Sequence, residues 1–288
     1  MNNLEKIPVT ILTGFLGAGK TTLIRNLIIK NKSKRLAVII NEFGDLGVDG
    51  EIVKQCSDKT CPEENILELA NGCICCTVAD DFVPTMQTLL DGKYLPEHIL
   101  IETSGLALPK PLLKAFEWPE IRSKLTVDSV LAVVDAEAVV NGVFAPQMSS
   151  EMEKKQKETY VEHETPLSEV FEDQINCSDI VLLTKPDLVK NPSVAKDIII
   201  KEMERNVPIL EVQSGDIEAD LILGIGAAAE TDLENRKSHH DGFDDHEHDD
   251  FETFSISIPT ISDLEKFRLN MNNLINENEV LRIKGFLK

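Results

Sequence analysis

No apolar run in this 288-residue sequence approaches the ~18–20 residues that a membrane-spanning helix needs. The N-terminus, MNNLEKIP, lacks a basic region followed by a long apolar core, so no secretory signal is expected there. Positive charge is scarce. Lys and Arg number 29 against 50 Asp and Glu, a formal net charge of -21. A nucleic-acid partner would want a basic face, so this balance argues against one and suits a chain that attracts cations. Together these absences predict a cytoplasmic protein with neither a membrane nor a nucleic-acid partner. Six cysteines in such a compartment are more often ligands or core residues than disulfides. Apolar residues make up 42%, enough for a proper core, and the length suits one large or two ordinary domains.

Short apolar runs alternate with helical patterns along most of the chain. Strands are expected at Val9–Thr13, Leu36–Asn41, Ile66–Leu69, His98–Glu102, Val127–Asp135, Ile180–Thr184 and Ile209–Gln213. Helices are expected near 20–31, 79–91, 109–116, 164–176 and 193–205. Continuous apolar strands separated by helices indicate an α/β fold, a mostly parallel sheet sandwiched by helices. Residues 142–163 are polar and read as an exposed excursion. Residues 224–237 read as a small-residue, polar connection, followed by SHHDGFDDHEHDD at 238–250. A strand–helix–strand pattern then covers Phe251–Ile258, 260–276 and Val280–Ile283, a short α+β segment too small to fold well alone. It looks like the first half of a split β-α-β domain, cut at Lys288, or a shortened tail docked on the main domain. The expected division is therefore 1–215, a linker at 216–250, and a partial domain at 251–288.

The strongest motif is GFLGAGKTT, residues 14–22, between an apolar run and a helical pattern. It fits G-x-x-x-x-G-K-[ST], a phosphate-binding loop, with Gly14, Gly19, Lys20 and Thr21 in the defining places. Glycines let the backbone wrap a triphosphate, and successive N–H groups at Gly17, Ala18, Gly19 and Thr22 can point at its oxygens. Lys20 adds a point charge at the β/γ-phosphates, and Thr21 offers a hydroxyl to Mg²⁺. Glu102 ends an apolar strand, with Gly105 three residues on. A carboxylate there can hold Mg²⁺, and the glycine N–H can reach the γ-phosphate. Asp135 also ends an apolar strand and competes for the Mg²⁺ role; Gly105 favours Glu102. Thr184-Lys185-Pro186-Asp187 follows another strand and looks like the [NT]-K-x-D guanine-recognition sequence of GTPases. Asp187 can accept from the guanine N1–H and exocyclic amine, Lys185 would lie along the base, and adenine offers no matching donor pair. GTP is therefore favoured over ATP, with Gln213–Gly215 a weaker candidate for closing the base pocket.

Asn71-Gly72-Cys73-Ile74-Cys75-Cys76 places three thiols within four residues. Thiolates bind Zn²⁺ or Co²⁺ well. Three of them leave one tetrahedral position open, which suits a site that takes up and releases metal. Glu42 is the first candidate for the fourth ligand and Asp45 the second; both lie in a loop placed like a GTPase switch. Cys56 and Cys61 form a looser C-x4-C pair that reads as a local structural feature before a functional one, and Cys177 reads as core. His239, His240, His246 and His248 stand among acids, either a weak cation site or a solvated acidic linker. His98 and His163 are isolated and read as structural.

GFLGAGKTT, NEFGDLGVD, NGCICC, ETSGLALP and TKPD, in this order, resemble the CobW-type GTPases, P-loop metallochaperone-like proteins related to the nickel-insertion GTPases of urease and hydrogenase. The resemblance covers about residues 7–215 and is weaker over 251–288, where the family's second domain is longer. Segments such as GDLGVDGEIVKQC, CICCTVADDFVP and LLKAFEWPEIRS look more like the cobalamin-biosynthesis members than the zinc-supply members. The resemblance implies a P-loop NTPase fold with GTP and Mg²⁺ at Gly14–Thr22, guanine at Lys185 and Asp187, and a transferred metal at Cys73, Cys75 and Cys76. It implies a GTPase that supplies cobalt for insertion into a corrin ring, with a cobaltochelatase as client and a nucleotide-dependent homodimer as one form. Two rivals remain open: a zinc metallochaperone of the same family, and a metal-buffering protein whose nucleotide site is not catalytic. A P-loop kinase is disfavoured by TKPD and the three thiols.

Overall fold

Each of the seven apolar runs forms a strand of one sheet. The computed structural model describes residues 6–31, 33–41, 48–69, 82–92, 95–143, 166–239, 256–258, 261, 263–277, 280 and 283–286. The strands are β1 (Ile7–Thr13), β2 (Leu36–Asn41), β3 (Ile66–Leu69), β4 (His98–Glu102), β5 (Leu125–Asp135), β6 (Ile180–Thr184) and β7 (Ile209–Val212). They pair in the order β3-β2-β4-β1-β5-β6-β7, every pair parallel. Parallel strands must be joined by crossovers, and helices fill them on both faces.

Alternation along the strands builds the two faces. Val9 and Ile11 of β1 pack with Ala37 and Ile39 of β2 on one side, against α3 (Val83–Leu90) and α4 (Pro109–Ala115). Leu12, Val38 and Ile40 point the other way, against Leu23, Ile24, Leu27 and Ile28 of α1 (Lys20–Lys30) and Val53 of α2 (Val48–Lys54). The chain continues through two short helices, α5 (Pro119–Arg122) and α6 (Ala136–Val140), then α7 (Pro166–Asn176) and α8 (Pro192–Glu202). Asn191 caps α8 by accepting from Ser193 N–H, with Pro192 at the first helical position. No described helix is long and apolar enough to cross a membrane.

The register places the carboxyl ends of the central strands level. Leu12 stands opposite Glu102, Ile40 opposite Glu102, and Asp135 opposite Thr184. β1 lies between β4 and β5, where the winding of the chain reverses, and open α/β sheets bind ligands beyond that point.

The connection after β7 differs from a loose polar link. Pairing between β1 and β5 shifts so that Asp128 is the extra, bulged residue. Its carboxylate accepts from the N–H groups of Gly224 and Gly226, each at 2.7 Å. Glu230 accepts from Thr126 Oγ1 at 2.7 Å and Val127 N–H at 2.9 Å, and Arg236 is buried against Asp179. Polar residues thus tie 224–236 beneath the sheet, because buried charges there find partners.

Strand structure expected at Phe251–Ile258 and Val280–Ile283 is absent from the described residues of those spans, 256–258, Val280 and Ile283. Ile256 and Ile258 are exposed, and among the described residues no strand pairs with them. The helix between them forms as α9 (Leu264–Glu277), opened by Asp263 accepting from Lys266 N–H.

Candidate functional site

The turn from β1 into α1 leaves no room for a side chain at Gly14. A Cβ on Gly14 would sit 2.1 Å from Val133 O, and Gly14 has φ 132, which other residues rarely adopt. Gly17 and Gly19 also have positive φ. Gly19 caps α1 without a side-chain acceptor, and no acid stands in the first turn. The first N–H groups of α1 and the positive end of its dipole are thus available to an anion. Lys20 is buried and folds back, its Nζ donating to Gly14 O at 2.6 Å and Phe15 O at 3.2 Å.

Thr21 Oγ1 donates to Glu102 Oε1 at 2.9 Å. Glu102 Oε2 is buried and has no hydrogen-bond partner among the described residues. Burial pushes the Glu102 carboxyl up to about 7; Lys20 opposes this, Asp49 adds to it, and Thr21 and Lys284 oppose it further. A buried carboxylate oxygen left without a partner needs an explanation. A hydroxyl beside a carboxylate is an oxygen donor set that fits Mg²⁺, directly or through water.

Gly105 presses on the phosphate loop. A Cβ there would lie 2.6 Å from Leu16 N. Gln174 Nε2 donates to Gly105 O at 3.2 Å, which anchors the turn after β4 to α7. Lys20, Thr21 and Glu102 face a cavity of about 450 Å³, lined also by Gly17, Asp49 and Lys284 among others.

Asp135, the competitor for the ion, stands elsewhere. Its Oδ1 accepts from Glu137 N–H at 2.9 Å and Ala138 N–H at 3.2 Å, capping α6, and its other oxygen pairs with Lys185 Nζ. Thr184 Oγ1 donates to Ala18 O at 2.7 Å and Val134 O at 3.1 Å, so the TKPD turn is tied to the phosphate loop. Lys185 takes a left-handed φ of 53, and Asp187 is exposed in the following turn. Ser214, also left-handed at φ 51, accepts from Asn26 Nδ2 at 2.8 Å through its carbonyl, which brings 213–215 against α1. Thus Gly14, Gly17, Ala18, Gly19, Lys20, Thr21, Thr22, Glu102 and Gly105 gather around the β1–α1 turn, with Thr184 tied to it and Lys185 and Asp187 following in the next turn.

Glu42, Asp45, Cys73, Cys75 and Cys76 lie outside the described residues, as do His163, His240, His246 and His248. Among the described residues no cluster of three or more His, Cys, Asp or Glu could hold a metal. Cys61 and Cys177 are core thiols, each pushed up to about 12 by burial and so poor thiolate donors. Cys56 accepts a weak contact from Arg25 Nε at 3.5 Å. His239 pairs with Glu172 at 2.9 Å. Sequence reasoning missed Lys284, which reaches the cavity from the far end of the chain and pairs with Asp49. No local pattern marks it.

Comparison with known proteins agrees with this geometry. Residues 8–211 match the family described as CobW/HypB/UreG, nucleotide-binding domain. A zinc chaperone CobW of Sinorhizobium sp is 47% identical over 99% of this chain and 82% of its own length. Another zinc chaperone CobW, of Pseudomonas aeruginosa, is 45% identical over 99% of this chain and 78% of its own. The Zn(II)-bound YjiA GTPase from E. coli matches in fold, with a TM-score of 0.51 and 24% identity over 77% of this chain. The matched part spans 63% of that structure's chain. A phosphate loop joined to a TKPD turn on this sheet, within a family match that covers most of the chain, gives the conclusion that the chain belongs to the CobW/HypB/UreG family of P-loop GTPases.

Proposed function

We propose that the chain is a GTP-hydrolysing metal carrier, which takes a divalent ion onto Cys73, Cys75 and Cys76 and gives it to a client as GTP is hydrolysed. The observation that carries the nucleotide half is the Thr21–Glu102 contact, with the second Glu102 oxygen unpartnered beside the phosphate loop. GTP phosphates would enter the cavity at the α1 N-terminus, and Lys20 would leave its loop carbonyls for the β/γ-oxygens. Thr21 and Glu102 would hold Mg²⁺, which when bound supplies neutralisation of charge on those oxygens. The Gly105 N–H would steady the γ-phosphate as water attacks and the bond to the β–γ bridging oxygen breaks. Thr184, Lys185 and Asp187 would hold the guanine.

Coupling to the metal has a physical route. Asp49 and Ile52 of α2 line the cavity. The same helix packs on β3: Lys54 pairs with Glu68 at 3.4 Å, and a Cβ on Gly50 would run into the Glu68 side chain. The three-thiol motif begins just after β3, and Glu42 precedes α2. A terminal phosphate that moves α2 would therefore act on both segments that supply metal ligands, and coupling between the two sites is reciprocal.

Zinc is the cargo the comparisons favour, since two relatives over 40% identical are named zinc chaperones. Thiolate sites also hold Zn²⁺ more tightly than Co²⁺. Cobalt, delivered to a cobaltochelatase, is the second reading and rests on segments such as GDLGVDGEIVKQC. The test is a competitive Zn²⁺ and Co²⁺ titration with and without Mg²⁺·GTP. One ion per chain, held more tightly with GTP and lost in Cys75→Ser, supports the reading. Metal affinity indifferent to GTP leaves a GTPase with a separate metal buffer and sinks the coupling. A rise in sedimentation coefficient with a non-hydrolysable GTP analogue would support the nucleotide-dependent homodimer.

A further inference from the structure

Lys284 belongs to a segment remote in sequence from every motif of the nucleotide site, yet Ile283, Lys284 and Gly285 line the same cavity as Lys20, Thr21 and Glu102. Its side chain is largely buried there and is ion-paired with Asp49, itself 9% exposed. A buried ion pair is a costly arrangement for holding a tail in place, because both charges lose water. It makes sense where one partner has a second occupant to meet.

The position within the site says which. The cavity wall contains none of Thr184, Lys185 or Asp187, which mark the guanine end. It does contain Lys20, Thr21 and Glu102, which mark the end of the phosphate chain and its ion. A lysine at that end faces the space of the terminal phosphate. The cationic groups on this wall are Lys20, Arg25 and Lys284, and the acidic ones Asp49 and Glu102. A triphosphate entering this wall would offer Lys284 a stronger partner than one carboxylate, since charge-assisted bonds to phosphate are short and strong.

We propose that Lys284 is a terminal-phosphate-binding residue supplied by the C-terminal segment, held by Asp49 without nucleotide and turned to the phosphate when GTP is bound. Asp49 lies in the first turn of α2, so the exchange of partners ties the C-terminal segment to the same helix that leads toward the metal-ligand loops. The inference rests on reading the cavity as a GTP site. GDP lacks the terminal group, so Lys284 discriminates between the two nucleotides.

The test is fluorescence titration of the full chain with Mg²⁺ and labelled GDP or a labelled non-hydrolysable GTP analogue. Lys284→Ala should weaken the GTP analogue about tenfold or more while GDP changes less than about twofold. Lys284→Arg should restore most of that loss, which a merely structural role would not require. Should Lys284→Ala fold poorly by thermal melting, Lys284→Gln keeps the aliphatic stem and is judged by the same ratio. Equal loss for both nucleotides, or loss for neither, overturns the role of Lys284 while leaving the GTP site intact. Wild-type protein that binds neither nucleotide overturns the site reading and this inference with it.

Discussion

The hydroxyl of Thr21 and the carboxylate of Glu102 meet at 2.9 Å across the seam between the first turn of α1 and the end of β4. Two elements 81 residues apart in sequence thereby share one polar corner. Glu102→Gln keeps the shape and the Thr21 contact but removes the charge. GTP turnover is expected to fall about 100-fold, with a higher Mg²⁺ requirement. Burial holds the wild-type carboxyl near 7, so ion binding must displace a proton from it. The Mg²⁺ requirement should accordingly fall as pH rises through about 7, and the variant should lose that slope. A variant with wild-type turnover would show that Glu102 is only a strand-end cap.

Asp187 is exposed at the rim, and Thr184 ties its turn to the phosphate loop. Asp187→Asn exchanges an acceptor pair for an acceptor and a donor. The variant should lose about 2–3 kcal/mol of GTP affinity and gain affinity for xanthosine triphosphate, whose base keeps the N1–H donor and carries a carbonyl acceptor in place of the exocyclic amine. Competition binding with the two nucleotides reads this directly. Unchanged preference would assign guanine recognition to other groups.

The strands were legible because parallel strands are buried on both faces and write themselves as unbroken apolar runs. All seven match within two residues at each end; Ile7–Thr13 gains Ile7 and Pro8, and Leu125–Asp135 gains Leu125 and Thr126, by pairing with each other. The helix Val48–Lys54 was not legible. It is short and carries Gly50, which is there to clear Glu68. The phosphate loop was readable because its chemistry is local: backbone N–H groups, one lysine, one hydroxyl. Asp128, Glu230 and Lys284 were not, since each matters through a partner far along the chain. Charged residues look alike in sequence whether they face solvent or a buried partner.

Arg236 is one of those. It is 1% exposed, and it donates to Cys177 O and, at 2.5 Å, to Asp179 Oδ1. Asp179 in turn accepts from Val130 N–H at 2.8 Å and has Arg205 at 3.7 Å. Arg236→Ala leaves a cavity and a buried carboxylate with a more distant cation. The expected cost is about 3 kcal/mol, roughly 6–12 °C in the melting temperature. Arg236→Lys should be intermediate, since one ammonium cannot fill the fork of a guanidinium. A loss under about 0.5 kcal/mol in chemical denaturation would mean that the 224–236 tie contributes little to the fold.

His98 gives the fold a pH dependence of its own. Its ring is buried at the start of β4, with Nε2 2.8 Å from Thr10 Oγ1. Burial lowers its pKa to about 4; Asp128 opposes the shift and Lys34 adds to it. In the unfolded chain the ring protonates near the ordinary value of about 6.5. Between those values the unfolded state binds more protons than the folded one, so this residue's contribution to stability falls as pH drops from about 6.5 to about 4 and then levels. Glu102 works in the opposite sense. Its raised pKa means that the folded state takes up the proton first, so its penalty is relieved as pH falls from about 7 toward the usual carboxylate range. The wild-type pH profile mixes the two. The difference between wild type and His98→Gln isolates the histidine, because glutamine can still reach Thr10 and does not titrate. On moving from pH 7 to pH 5, urea denaturation should show the wild type losing roughly 1–2 kcal/mol more than the variant. Parallel profiles would mean that the folded ring titrates near the ordinary value, its burial offset by Asp128, and a relative gain by the wild type would mean that the folded ring already carries its proton at pH 7.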